Sequence, residues 1–155
     1  MVKARADILI RRPPERVFGF VARDFFANYP RWSPQVQRLE VLTPGPIRVG
    51  SRARQVRIDQ GRRSESTFRV TALEEPVRVE FAEGTELFRI GYRLDPAGDQ
   101  TRLTFAFELT RLELYMRPFE KLVRIAVQDG AEQVVRNIKA LLEREPEPPT
   151  GDACP

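Results

Sequence analysis

The side chains available for chemistry form a restricted set. The 155 residues include no histidine, and the one cysteine, Cys154, stands beside the C-terminus in a Pro-rich stretch. Ser-His-Asp and Cys-His catalysis, His-containing zinc sites, His-ligated haem and intramolecular disulfides are therefore excluded together. Acid–base or electrostatic work falls to Asp, Glu, Lys, Arg, Tyr, Ser and Thr. The carboxylates Glu65, Glu80 and Glu108 alternate with apolar neighbours. They are expected on the outer face of a sheet, paired across strands with Arg78, Arg69 and Arg93, without the burial that a catalytic carboxylate needs. Between Arg48 and Arg69 seven arginines face only Asp59 and Glu65. That stretch suits an anionic head group or a solvated sheet surface equally. No metal and no cofactor is implied.

The elements that must position these groups follow from periodicity. Ala6, Ile8 and Ile10 alternate as a first strand within Ala4 to Arg11. Pro14 and Glu15 suit a helix start, and Val17, Phe18, Phe20 and Val21, then Phe25, Phe26 and Tyr29, carry helical spacing up to Pro30. Trp32, between Pro30 and Pro34, reads as a packing plug in a loop. The period then changes to two for some eighty residues. Strands are expected at 36–43, 51–60, 63–73, 77–81, 88–94 and 103–109, with turns at Gly61-Arg62, Glu75-Pro76, Gly84 and Pro96 to Asp99. From Leu114 the helical period returns and holds to Arg144, with Met116, Phe119, Leu122, Val123, Ala126, Val127, Val134, Ile138 and Leu142 on one stripe. Residues 145–155 carry four of the thirteen prolines and read as a disordered acidic tail, leaving one domain over 1–144. The order builds an α+β fold: a curved, seven-stranded antiparallel sheet wrapped around a long C-terminal helix, with two short helices after the first strand. A helix across so curved a sheet need not fill the concavity, so an elongated pocket is expected.

Composition fits a single folded domain, with 41% hydrophobic and 31% charged residues. Arginine supplies 23 of the 26 basic residues, and the tail's Glu145, Glu147 and Asp152 mask part of the imbalance, so 1–144 carries three charges more than the whole-chain +4. The arginines are scattered, which argues against a dedicated nucleic-acid surface. No stretch is long and apolar enough for a membrane span, and the N-terminal apolar run is too short for a signal peptide. A cytoplasmic setting is expected, and a homodimer is left open.

The succession PPERVFGFV, YPRWSP, VGSRARQVR, GRRSESTFRVTALEEPVRVEF and TRLTFAFEL, closed by a long helix, resembles the START/SRPBCC superfamily over residues 4–144. It is most similar to the polyketide cyclase/dehydrase-type branch and its birch-pollen-allergen-like relatives. The resemblance implies a helix-grip fold with a deep hydrophobic cavity. It also implies a role among lipid carriers, hormone receptors, aromatase/cyclases and oxygenase subunits, the last excluded here because its iron site needs histidine.

Within that frame the cavity candidates are Phe25, Phe26, Tyr29, Phe68, Phe88, Tyr92, Phe105, Phe107, Tyr115, Met116, Phe119, Val123 and Val127. Tyr115, Met116 and Phe119 are placed at the mouth. The third strand offers two registers. Ala53, Gln55, Arg57 and Asp59 share one face, favoured by the resemblance, whereas hydrophobicity favours Val56 and Ile58 inward. With the first register, Gln55, Arg57, Tyr92 and Gln128 become the polar groups of the cavity. The leading expectation is binding or carrying of a small hydrophobic molecule, aromatic, polyketide or lipid-like. The alternatives are a metal-free cyclase/dehydratase using Arg57 and Tyr92, as the resemblance implies, and a ribosome- or RNA-associated module.

Overall fold

A computed structural model describes residues 2–112 and 114–145, with Tyr115 described in its backbone alone. The chain runs β1 (Val2–Ile10), α1 (Pro14–Phe18), a π-helical turn (Gly19–Arg23), α2 (Phe25–Trp32), then β2 (Val36–Val41), β3 (Arg52–Asp59), β4 (Arg62–Glu74), β5 (Arg78–Glu83), β6 (Phe88–Ala97) and β7 (Gln100–Leu109). A 3-10 turn (Leu114–Phe119) and α3 (Glu120–Arg144) complete it. The seven strands form one antiparallel sheet in the order β1-β7-β6-β5-β4-β3-β2.

The alternation seen in the sequence becomes the two faces of this sheet. Ala4, Ala6, Phe105, Tyr92, Val79, Phe81, Phe68 and Ala53 are buried on the concave side. The convex side is laced with ion pairs: Arg54 with Glu40 and Glu65, Arg69 and Arg89 with Glu86, Arg78 with Glu74 and Glu80, and Arg102 with Asp7. Glu80 meets Arg78, but along β5 and not across strands as expected, while Arg69 and Arg93 take Glu86 and Asp95. At the β3–β4 turn Gln60 and Gly61 both have positive φ, 52° and 81°, the two-residue hairpin geometry that glycine makes easy.

Two expectations change. Trp32 is the last residue of α2 and not part of a loop, with Pro30 inside the helix. Proline there removes one backbone bond late in a short helix, and the burial of the Trp32 ring, 1% exposed, offsets the loss. The C-terminal helix is not continuous from Leu114: Pro118 lies in the 3-10 turn, and α3 begins at Glu120 and runs 25 residues.

α3 also covers less of the concavity than its stripe suggests. It packs chiefly along β1 and β7, and its buried residues are Ala131, Val135, Ile138 and Leu142, none of them in the turns before Ala131. The centre of the concave face is occupied by rings from α2, which leaves no room for a helix there. α3 instead closes the open edge of β1. Gln128 Nε2 donates to the Arg5 carbonyl at 2.9 Å, Gln128 Oε1 accepts from the Arg5 N–H at 3.3 Å, Lys139 Nζ donates to the Leu9 carbonyl at 2.6 Å, and Glu143 accepts the Arg11 N–H at 2.8 Å. An edge strand's free backbone groups are thereby satisfied by side chains. Glu145 is held by Arg31 at 2.9 Å and Arg16 at 3.9 Å, while the rest of the expected tail, 146–155, lies outside the described residues.

Candidate functional site

The concave face carries an aromatic cluster built around α2. Phe25 stacks on Phe81 at 4.3 Å and on Tyr29 at 4.9 Å, and meets Phe26 and Phe68 edge-on. Trp32 sits edge-on to Tyr92 at 5.8 Å, and Tyr92 tilts against Phe105 at 5.1 Å. Phe25, Tyr29, Phe68, Tyr92 and Phe105 are all buried in it. Offset and edge-on rings at these separations are favourable beyond the area they bury. Towards the far end of the strands the packing loosens. Phe88 and Phe107 stack at 6.1 Å and are half-buried, as are Val123 and Val127 of α3.

The sheet register settles the third strand. Ala53 and Gln55 are buried, Ile58 is exposed, and Gln55 pairs with Ser66 while Arg57 pairs with Ser64. The Gln55–Arg57 face points inward. β3 lies next to the sheet's edge, where an outward Val56 and Ile58 cost little, whereas the concave side supplies partners for amide and guanidinium.

Those partners form one polar string at the border of the aromatic cluster. Arg57 Nη1 donates to the Tyr29 hydroxyl oxygen at 2.6 Å, and the Tyr29 hydroxyl donates to Gln55 Oε1 at 2.8 Å. Gln55 Nε2 then donates to Ser66 Oγ at 3.2 Å. Asp59 holds the other side of the guanidinium, accepting from Nε at 3.1 Å and from Nη2 at 2.9 Å. A guanidinium has five N–H donors. These three bonds leave one on Nη1 and one on Nη2, at a side chain only 23% exposed.

Electrostatics follow from this geometry. Burial pushes the Tyr29 phenol above its ordinary value, and the neighbouring Arg57 pulls it down without overturning that direction. Burial opposes the charge on Arg57, but the hydrogen bonds and charge of Asp59, with the hydrogen bond to Tyr29, outweigh it, so Arg57 remains a cation. Burial likewise raises the Tyr92 phenol. The site thus offers a fixed positive charge and a neutral phenol side by side. It offers no base. Among the described residues no three His, Cys, Asp or Glu side chains converge as metal ligands would.

The expected residues divide accordingly. Tyr29, Gln55 and Arg57 come together, but the phenol touching Arg57 is Tyr29, not Tyr92. Gln128 is not a cavity group: it serves the β1 edge. Met116 Sδ lies 4.0 Å from Arg62 Nη1, so the 3-10 turn reaches the β3–β4 hairpin across the open end of the concave face. Phe119 turns outward, 52% exposed. Tyr115's side chain lies outside the described residues. Asp59 and Ser66 were missed as members of the string. Asp59 is two residues from Arg57 on the same face, a signal the sequence held; Ser66 depends on the turn lying at Gln60-Gly61, one residue earlier than the expected Gly61-Arg62, which pairs Gln55 with Ser66 rather than with Phe68.

A curved seven-stranded sheet gripping a C-terminal helix, with a polar string at the edge of an aromatic concave face, defines a helix-grip protein. The chain belongs to the polyketide cyclase/dehydrase and lipid transport family, whose model matches residues 1–143. Solved structures share the fold. TTHA0849 from Thermus thermophilus superposes with a TM-score of 0.77 at 21% identity, over 92% of this chain and 97% of its own. A START superfamily protein from Mycobacterium smegmatis gives 0.70 at 15% identity, over 92% and 97%. The di-domain ARO/CYC protein BexL, from the BE-7585A biosynthetic pathway, gives 0.69 at 20% identity over 92% of this chain, which spans 47% of BexL. No match was found among curated proteins.

Proposed function

We propose that the domain formed by residues 1–144 binds and carries a small hydrophobic molecule between the far half of the concave face and the first half of α3. The ligand lies against Phe88, Phe107, Val123 and Val127 and turns its polar end to Arg57. The observation that carries this reading is the Tyr29–Gln55–Arg57–Asp59 string. A cation held rigidly by Asp59 and Tyr29, with N–H groups to spare beside an aromatic wall, suits an oxygen-bearing end on an otherwise apolar body. Family membership supports the same class of ligand. The test is displacement of the fluorescent probe anilinonaphthalene sulfonate by polycyclic aromatic carboxylates. Saturable displacement is expected, weakened by about tenfold or more in Arg57→Leu. Failure of every such compound to compete, or equal competition with the variant, overturns the reading.

A second reading, a cyclase/dehydratase, draws on one specific feature. Arg57 keeps two N–H groups beyond its bonds to Tyr29 and Asp59, and a cation held in this way by Tyr29 suits charge building on a ketone oxygen during enolate-like cyclisation. Turnover of a poly-β-ketone thioester to a cyclised, dehydrated product, detected by mass and slowed in Tyr29→Phe, supports it. Absence of conversion dismisses it. The RNA-associated reading gains no support from the convex face, where most arginines have carboxylate partners.

A further inference from the structure

We infer that the start of α3, with the 3-10 turn before it, is a docking surface for an anionic lipid bilayer. Among the described residues eight large apolar side chains stand in solvent, and four of them fall in this short segment: Leu114 (75% exposed), Phe119 (52%), Leu122 (64%) and Ile125 (52%). Phe119, Leu122 and Ile125 recur at three-residue spacing and so run along one side of the helix start.

That side is turned away from the sheet for a reason visible in the periodicity. Counting back from Ala131 along the docked stripe by two and by three turns reaches Arg124 and Glu120, which pair with each other at 3.1 Å. The apolar residues fall elsewhere on the helix. No packing within the described residues takes them up.

The flanking charges select the occupant. Arg117 and Lys121 make no ion pair among the described residues, in contrast to the laced convex sheet. A second copy docked on this segment would bring the same cations together. An anionic lipid surface complements them and takes the apolar side chains into its interface. No helix here is long and apolar enough to span a bilayer, so the contact is peripheral. The surface adjoins the open end of the concave face, because Met116 of the same turn touches the β3–β4 hairpin. A hydrophobic cargo would then exchange between bilayer and protein without crossing water.

Flotation of the full chain with vesicles of phosphatidylglycerol mixed into phosphatidylcholine tests this against vesicles of phosphatidylcholine alone. Binding is expected to the anionic vesicles, weakened by salt and lost in Leu122→Asp/Ile125→Asp. Neutralising the exposed cations with Arg117→Gln/Lys121→Gln should weaken it by about thirtyfold. All four positions are on the surface, and an unchanged melting temperature verifies that the variants fold. Equal binding to both vesicle types, or none, overturns the inference. So does a dimer in sedimentation velocity that the Leu122→Asp/Ile125→Asp variant abolishes, which would assign the patch to a second copy. Probe displacement measured without vesicles is unaffected by these variants, so failure here leaves the ligand reading standing.

Discussion

Removal of one hydroxyl, Tyr29→Phe, probes the polar string directly. The ring stays in its stack on Phe25, so apolar packing is preserved. Two partners lose a bond. Gln55, only 3% exposed, is left with an unpaired Oε1, and Arg57 loses the acceptor of its Nη1 donor. A buried acceptor stranded in this way costs about 1–3 kcal/mol, whereas Arg57 keeps Asp59 and has enough exposure to recruit water. The expected destabilisation is about 2 kcal/mol, equivalent to a melting temperature lower by about 4–8 °C for a domain of this size. Adding Gln55→Leu removes the stranded group, and the double variant should recover about half or more of the loss, because deleting both partners of a buried bond costs less than deleting one. Urea denaturation of the wild type, both single variants and the double closes the cycle. A single-variant loss below about 0.5 kcal/mol, or a double variant less stable than Tyr29→Phe alone, would refute the buried-bond reasoning.

Other consequences concern the lock between α3 and β1 and the response to pH. Burial would raise the Glu143 carboxyl, but bonds from Lys139 and from Arg11's backbone and side chain outweigh it and hold the group at about 2, below the ordinary 4.5. Its contribution is therefore full above about pH 4.5 and is lost as the pH falls towards 2; the acid limb of the stability curve should flatten in Glu143→Gln, with about 1 kcal/mol lost at neutral pH. Tyr29 and Tyr92 have the opposite sign: with folded values raised above 10.0, they stabilise fully below that pH and increasingly less above it, so alkaline unfolding should coincide with the appearance of their phenolate absorbance. Phenolate absorbance from both in the folded state would contradict their burial. Gln128→Leu should leave the core intact but raise the hydrogen-exchange rate of the Arg5 amide about fivefold to tenfold, since that N–H loses its side-chain acceptor.

Much of the architecture was legible because local periodicity reports directly which residues share a face. The period-two run from β2 to β7 follows from alternation alone, and Gly61 and Gly98, both with positive φ, mark turns that the composition announces. Helix interruptions were less legible. Pro30 and Pro118 carry the same local signal, yet one lies inside an α-helix and the other in a 3-10 turn. Burial of Trp32 decides the first case, and nothing at the exposed start of α3 opposes the tighter turn in the second. The candidate site was half legible. Tyr29, Gln55 and Arg57 could be named, but as members of one bonded string they depend on a strand register and on where α2 lies.

The sequence by itself determined the element order and the inventory of chemistry, since composition, period and turn residues act over a few neighbours at a time. Without histidine it left guanidinium, phenol and amide as the groups available to a pocket. Only the tertiary structure decided which of them meet. Tyr29 and Arg57 are 28 positions apart and are joined because α2 fills the concave face over β3. It also decided that Gln128 serves an open strand edge and that the apolar start of α3 faces solvent. Both depend on where a helix can lie once the aromatic rings have taken the centre of the sheet, and that is a competition for space that no local pattern encodes.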